Sequence, residues 1–161
     1  MGGEKAVVGV ISDTHGLLRP EAVAALRGSD LIIHAGDVGA PEVLDTLRGI
    51  APVVAVRGNV DKGAWAKTLR TTEVVEIAST SVYVLHDIND LDLDPKAAGF
   101  QGVIAGHSHR PSIEERDGIL FLNPGSAGPR RFTLPVALAR VVVQDGRLEP
   151  TLIDLKGVAT F

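Results

Sequence analysis

The chain has 161 residues, of which 45% are hydrophobic and 22% charged, with a formal net charge of -4 and no cysteine. This length predicts one domain over 1–161, able to bury roughly 68–70% of its unfolded surface without covalent staples. The composition excludes disulfides and thiolate metal sites, and the negative charge disfavours long nucleic acid, which needs a basic surface to displace counterions.

The first apolar run, Ala6 to Ile11, is too short to span a membrane or form a signal-peptide core. The expected location is therefore cytoplasmic, with no membrane partner. Within this run Val7-Val8-Gly9-Val10-Ile11 reads as a strand, followed at once by Asp13 and His15. Pro20 to Arg27 reads as a helix, with proline near its start and Gly28 past its end. Leu31-Ile32-Ile33 is a second strand, leading into His34-Ala35-Gly36-Asp37, and Pro41 to Arg48 with Gly49 repeats the helix pattern. Val53 to Val56 runs into Arg57-Gly58-Asn59, Val82 to Leu85 into His86, and Val103 to Ala105 into Gly106-His107-Ser108-His109. Runs this short and apolar are expected to be strands buried on both faces.

A short helix is expected near Pro95 to Ala98. Gly118 to Leu122, Val136 to Val143 and Leu148 to Leu155 read as further strands, with Asp145-Gly146 as a hairpin turn. The pattern predicts an α/β first half packed against a more antiparallel second half. No linker, low-complexity segment or repeat interrupts it, and no segment reads as an exposed apolar face for self-association.

In open α/β sheets, ligands bind beyond the carboxyl ends of the strands. Five such ends here carry Asp13 and His15, Asp37, Asn59, His86, and His107 and His109. Each residue alone has a plainer role: Asp13 and Asp37 as caps, Asn59 as a turn residue, a histidine as a satisfied polar group. The coincidence argues for a shared centre, since four of the five histidines occupy strand ends. His34 is the exception. It lies inside its strand and is expected to hydrogen-bond a neighbouring loop.

The ordered set Asp13-Thr14-His15, Gly36-Asp37, Gly58-Asn59-Val60-Asp61, His86 and Gly106-His107-Ser108-His109 resembles the calcineurin-like metallophosphoesterase superfamily. The Asn123-Pro124-Gly125-Ser126 loop resembles its small bacterial and archaeal phosphodiesterase branch. The resemblance runs from about residue 6 to residue 128. A metallo-β-lactamase fits poorly, because Pro111 stands where its H-x-H pattern needs Asp, and so does a serine hydrolase, because no G-x-S-x-G elbow is present.

The resemblance implies a four-layer α-β-β-α sandwich of two mixed sheets flanked by helices. It also implies two divalent ions, one held by Asp13, His15 and His109 and the other by Asn59, His86 and His107, with Asp37 bridging both. A mixed imidazole and oxygen set suits manganese, nickel, iron or zinc better than magnesium or calcium, and manganese is the first expectation. Two such ions bring four positive charges; two carboxylates and a bridging hydroxide leave about one, which favours an anionic phosphate and its transition state. The implied activity is hydrolysis of a small phosphate ester, a phosphodiester first, by attack of the bridging hydroxide, with Asp37 and Asn59 central to catalysis.

Many relatives place His directly after the Asn to protonate the leaving group; Val60 stands there and donates nothing, so acidic leaving groups are favoured. Asp61 is then available to support a neighbouring loop or a ligand histidine. Arg57 and Arg130, the latter beside Arg131, are candidate phosphate contacts, weighed against ordinary surface roles. Asn123 is expected to tie its loop by hydrogen bonds to backbone. Gly63 to Thr72 and Asp87 to Asp94 are the loops expected to set selectivity, the latter an acidic solvated run rather than a third metal site.

Two other classes stay open. The retromer subunit of eukaryotes resembles this branch and serves mainly to bind partners, which makes a non-catalytic scaffold the alternative. The other is a nuclease for small nucleic acids or cyclic nucleotides; an aromatic content of 4% and the negative charge argue against a long strand-binding platform but leave a mono- or dinucleotide open.

Overall fold

The computed structural model describes residues 5–131 and 133–155. The chain enters as β1 (Lys5–Ile11), α1 (Pro20–Leu26), β2 (Leu31–His34), α2 (Pro41–Arg48) and β3 (Val53–Ala55). It continues through β4 (Thr72–Ile77), β5 (Thr80–Leu85), β6 (Gly102–Ile104), β7 (Ser112–Arg116), β8 (Ile119–Asn123), β9 (Ala137–Gln144) and β10 (Arg147–Asp154). Two five-stranded sheets result, with orders β10-β9-β1-β2-β3 and β4-β5-β6-β8-β7.

Both sheets are mixed. In the first, β1, β2 and β3 run parallel while β9 and β10 add antiparallel. In the second, β5, β6 and β8 run parallel, edged by antiparallel β4 and β7. The expected packing of first half against second half is therefore corrected. The C-terminal hairpin returns to pair with β1, and the middle of the chain makes the opposing sheet. The long β-branched run at Val141 to Val143 suits a place beside β1, where both faces are covered.

Strand alternation sorts the core into layers. Val8 and Val10 of β1, Ile33 of β2 and Val141 and Val143 of β9 face inward against Val75, Ile77, Val82, Val84 and Ile104 of the second sheet. Their neighbours Ile11, Ile32 and Leu138 face the other way, against Ala22 and Leu26 of α1 and Val43, Leu44 and Leu47 of α2. The outer face of the second sheet carries Tyr83, Leu85, Val103 and Ile119, covered by Phe100, Leu91 and Leu93. That outermost layer is made of turns. The segment at 95–99 is a turn rather than the expected helix, because Asp94 accepts from the backbone N–H groups of Lys96 and Ala97 and closes the chain locally.

Two strands escape the sequence pattern. β4 alternates Val75 and Ile77 inward with exposed Val74 and Glu76, so half of it looks like loop. β7 is exposed at every residue and is held by pairing with β8 alone. The turn that joins them is Asp117-Gly118, with φ of 52 and 78, the same dipeptide as the expected Asp145-Gly146 turn, with φ of 55 and 72. Both positions positive is the hairpin geometry that this dipeptide favours. Among the described residues, no helix is long and apolar enough to cross a membrane.

Candidate metal centre

The parallel strands bring their carboxyl ends to one rim. Asp13 and His15 follow β1, Asp37 follows β2, Asn59 follows β3, His86 follows β5, and His107 and His109 follow β6. Backbone hydrogen bonds lock these loops in pairs. The Asp13 N–H donates to the Gly36 carbonyl at 3.0 Å, the His15 N–H to Asp37 at 2.9 Å, and the Gly106 N–H to His86 at 2.9 Å. The Ser126 hydroxyl adds a 3.0 Å bond to the carbonyl of Asp13.

These loops approach too closely for side chains. A Cβ on Gly58 would overlap the backbone N and Oδ1 of Asp37, and one on Gly106 would overlap Ser12 Oγ and Asp13 Oδ2. Asp13, His15, Asp37, His107 and His109 all have φ between 48 and 70. Left-handed backbone costs a non-glycine residue of order 1–3 kcal/mol. Five candidate ligands share it, so the surrounding hydrogen bonds hold the donors in a geometry the chain would not adopt alone.

Two donor groups emerge. One ligand atom each from Asp13, His15 and His109 lies within 4.8 Å of the others, and the same holds for Asp37, His86 and His107. Asp37 Oδ2 faces both groups, 3.2 Å from His86 Nε2 and 3.6 Å from His15 Nε2. His109 Nε2 lies 3.3 Å from Asp13 Oδ1. Asp13 Oδ1, His15 Nε2 and His109 Nδ1 are buried and lack a hydrogen-bond partner. Buried polar atoms without partners are costly, and two of these, Asp13 Oδ1 and His15 Nε2, lie in the donor group with His109 Nε2 and fit an ion that would ligate them. The donors, imidazole nitrogens and carboxylate oxygens, suit divalent transition metals.

Neighbours set which nitrogen is free. His86 Nδ1 lies 2.7 Å from the Ala35 carbonyl, which can only accept, so Nδ1 carries the proton and Nε2 is left to ligate. His107 turns Nδ1 toward His86 Nε2 at 3.3 Å and Nε2 toward Asp87 Oδ2 at 3.6 Å. Burial pushes Asp13 upward, but His109, His15, the Ser12 hydroxyl and the charge of His86 outweigh it and hold the carboxyl well below its usual range. Burial likewise raises Asp37, and the His86 ring and Val60 N–H reverse the sign. His86 is pushed down by burial and raised further by Asp37 and the Ala35 carbonyl. The carboxylates are thus ionised and ready for a cation.

Asn59 is exposed between Gly58, which abuts Asp37, and Val60, whose N–H donates to Asp37 Oδ1 at 3.0 Å. It shares an open cavity of about 600 Å³ with His86, Arg57, Tyr83, Thr72 and Asp90. Arg57 therefore lies beside the donor groups. Arg130 is exposed and donates Nε to the Leu134 carbonyl at 3.2 Å.

Three supporting residues have plain roles. Asp61 accepts from the N–H groups of Gly58, Gly39 and Val38 at 2.8, 2.9 and 3.2 Å, tying the Asp37 loop to the Asn59 loop. Asn123 accepts from Gly125 N–H and donates to the Gly106 carbonyl and Ser108 hydroxyl, clamping the His107 loop. His34 is fully buried between Thr14 Oγ1 and the Gly36 N–H. Asp87 was legible only as part of an acidic run. Its approach to His107 had no signal in the sequence, because the two are 20 residues apart on loops that only the β5–β6 pairing brings together.

Comparison with known proteins agrees with this geometry. Residues 7–146 match the calcineurin-like phosphoesterase superfamily domain. A probable metallophosphoesterase of Methanocaldococcus jannaschii is 38% identical over 96% of this chain and 84% of its own length. A phosphodiesterase of the same organism is 28% identical over 73% of this chain and 82% of its own. A predicted phosphoesterase from Streptococcus pneumoniae superposes with a TM-score of 0.75 and 28% identity, covering 94% of this chain and 91% of that one. Vacuolar Protein Sorting 29 from Cryptosporidium parvum shares the fold, with a TM-score of 0.76 and 19% identity over 93% and 97% of the two chains. With the family domain matched from Val7 to Gly146, the chain belongs to the calcineurin-like phosphoesterase superfamily.

Proposed function

We propose that this protein is a dinuclear metal-dependent phosphodiesterase acting on a small phosphate ester. The observation that carries it is the pair of donor groups joined by Asp37 Oδ2 beside an open cavity. The probable metallophosphoesterase and the phosphodiesterase among its relatives support the same reading.

In this reading Asp13, His15 and His109 would hold one ion and Asn59, His86 and His107 the other, with Asp37 able to serve both. Manganese is the first expectation, with nickel, iron or zinc equally suited to the donors. Such ions, when bound, supply Lewis acidity and an acidified water at neutral pH. The protein's own groups do the rest. Asp13 and Asp37 bring negative charge in ionised form, the Ala35 carbonyl fixes the His86 ring, and Asp87 lies 3.6 Å from His107 Nε2. Arg57 receives the phosphate from the cavity side. One P–O bond forms to the water oxygen, the opposite P–O bond breaks, and the water proton passes to solvent. Val60 offers no proton to the departing oxygen, so the reaction favours esters whose alcohol leaves as a stable anion.

The test is hydrolysis of bis-p-nitrophenyl phosphate by metal-stripped protein, with and without Mn²⁺, beside Asp37→Asn. Activity restored by metal and lost in the variant supports the reading. Folded, metal-loaded protein without turnover would refute it and favour the scaffold alternative, which the completeness of both donor groups argues against.

A further inference from the structure

The cavity beside the donor groups has two walls of unlike charge. Arg57, Gly58 and Asn59, from the loop after β3, make one wall, together with His86. Asp90 and Asp92, from the loop after β5, line the other. Their direction follows from the fold. Leu91 and Leu93 pack inward against the Tyr83 and Phe100 layer, and Asp90 and Asp92, alternating with them, are left exposed. No ion pair among the described residues involves Arg57, Asp90 or Asp92. Tyr83 lines the same space while its ring packs against Phe100.

A phosphate seated at His86, Asn59 and Arg57 must send its second ester group into this space. An anionic group there meets two carboxylates, whereas a cationic one is attracted by both. We propose that the cavity selects phosphodiesters whose retained ester carries an amine or quaternary ammonium, with Asp90 and Asp92 as specificity-determining residues. This rests on the phosphodiesterase reading above and narrows its substrate class.

Three p-nitrophenyl diesters test it, with retained groups of similar size: choline, a neutral alkyl alcohol, and a carboxyalkyl alcohol. All release p-nitrophenolate, so leaving-group chemistry is constant and differences in kcat/KM report the retained group. Exposed carboxylates contribute up to roughly fivefold each, so the choline ester is expected to exceed the neutral one by up to about 25-fold, and the carboxylate ester to fall below both. The preference should shrink in Asp90→Asn/Asp92→Asn and with rising ionic strength. Equal kcat/KM for all three esters, or a preference that survives in the double variant, would overturn the inference alone. No metal-dependent turnover of any ester would overturn the hydrolytic reading and the inference with it.

Discussion

Replacing Asp61 tests whether the donor groups depend on a carboxylate that touches no ligand side chain. Asp61 is 5% exposed, and its two oxygens accept three backbone N–H groups, Gly58 and Val38 on Oδ2 and Gly39 on Oδ1. Asp61→Asn can keep the Oδ2 pair but turns an amide N–H toward Gly39, leaving one buried donor unsatisfied at about 1–3 kcal/mol. Asp61→Ala loses all three bonds, for a total of about 3–5 kcal/mol once partial solvation of the opened space is allowed. For a chain of this size each kcal/mol lowers Tm by about 2–4 °C. Thermal unfolding of metal-free protein should thus rank wild type above Asn above Ala. Because the bonds join the Asp37 loop to the Asn59 loop, divalent metal affinity by titration calorimetry should fall about 10–100-fold in the Ala variant. An Ala variant within 1 kcal/mol of wild type, with unchanged metal affinity, would refute the reasoning.

Gly106→Ala forces a methyl into Ser12 Oγ and Asp13 Oδ2; it should cost about 1–3 kcal/mol and weaken metal binding, and calorimetry showing native affinity would contradict it. Burial holds the His34 ring at about 4, below its ordinary 6.5. Gly36 donates to Nδ1, so a proton there would meet another N–H. The folded state therefore binds fewer protons than the unfolded one. Stability should be full above pH 6.5 and fall by about 3 kcal/mol as pH drops to about 4. Urea unfolding of wild type and His34→Gln should diverge over that window, and parallel curves would exclude the effect. Val60→His restores a proton donor beside Asp37; it should raise turnover of alkyl phosphate esters selectively, and equal gains on aryl and alkyl esters would count against the missing-acid argument.

The order of the donor residues along the chain was legible from sequence because it follows from local chemistry. Short β-branched runs make buried strands, glycine permits tight exits, and Asp, Asn and His stand at those exits. His34 and Asn123 were also read correctly in kind, since a polar residue inside a strand end or a turn must find a backbone or hydroxyl partner. The Asp145-Gly146 hairpin was visible for the same local reason. The matching turn at Asp117-Gly118 carries an identical signal, but β7 beside it is exposed throughout and shows no hydrophobic pattern to align with it.

Sheet membership depended on contacts distant in sequence. That β9 lies against β1 rather than in an antiparallel second half depends on pairings such as Val7 with Val142, which no local pattern encodes. The same holds for the rim. Sequence placed Asp13 and Asp37 at strand ends, but the left-handed backbone at five donors, the Asp61 clamp across two loops and the cavity wall of Asp90 and Asp92 exist only when the sheets close. Local propensity determines what each strand ends in; long-range packing of β1, β2, β5 and β6 determines which ends meet.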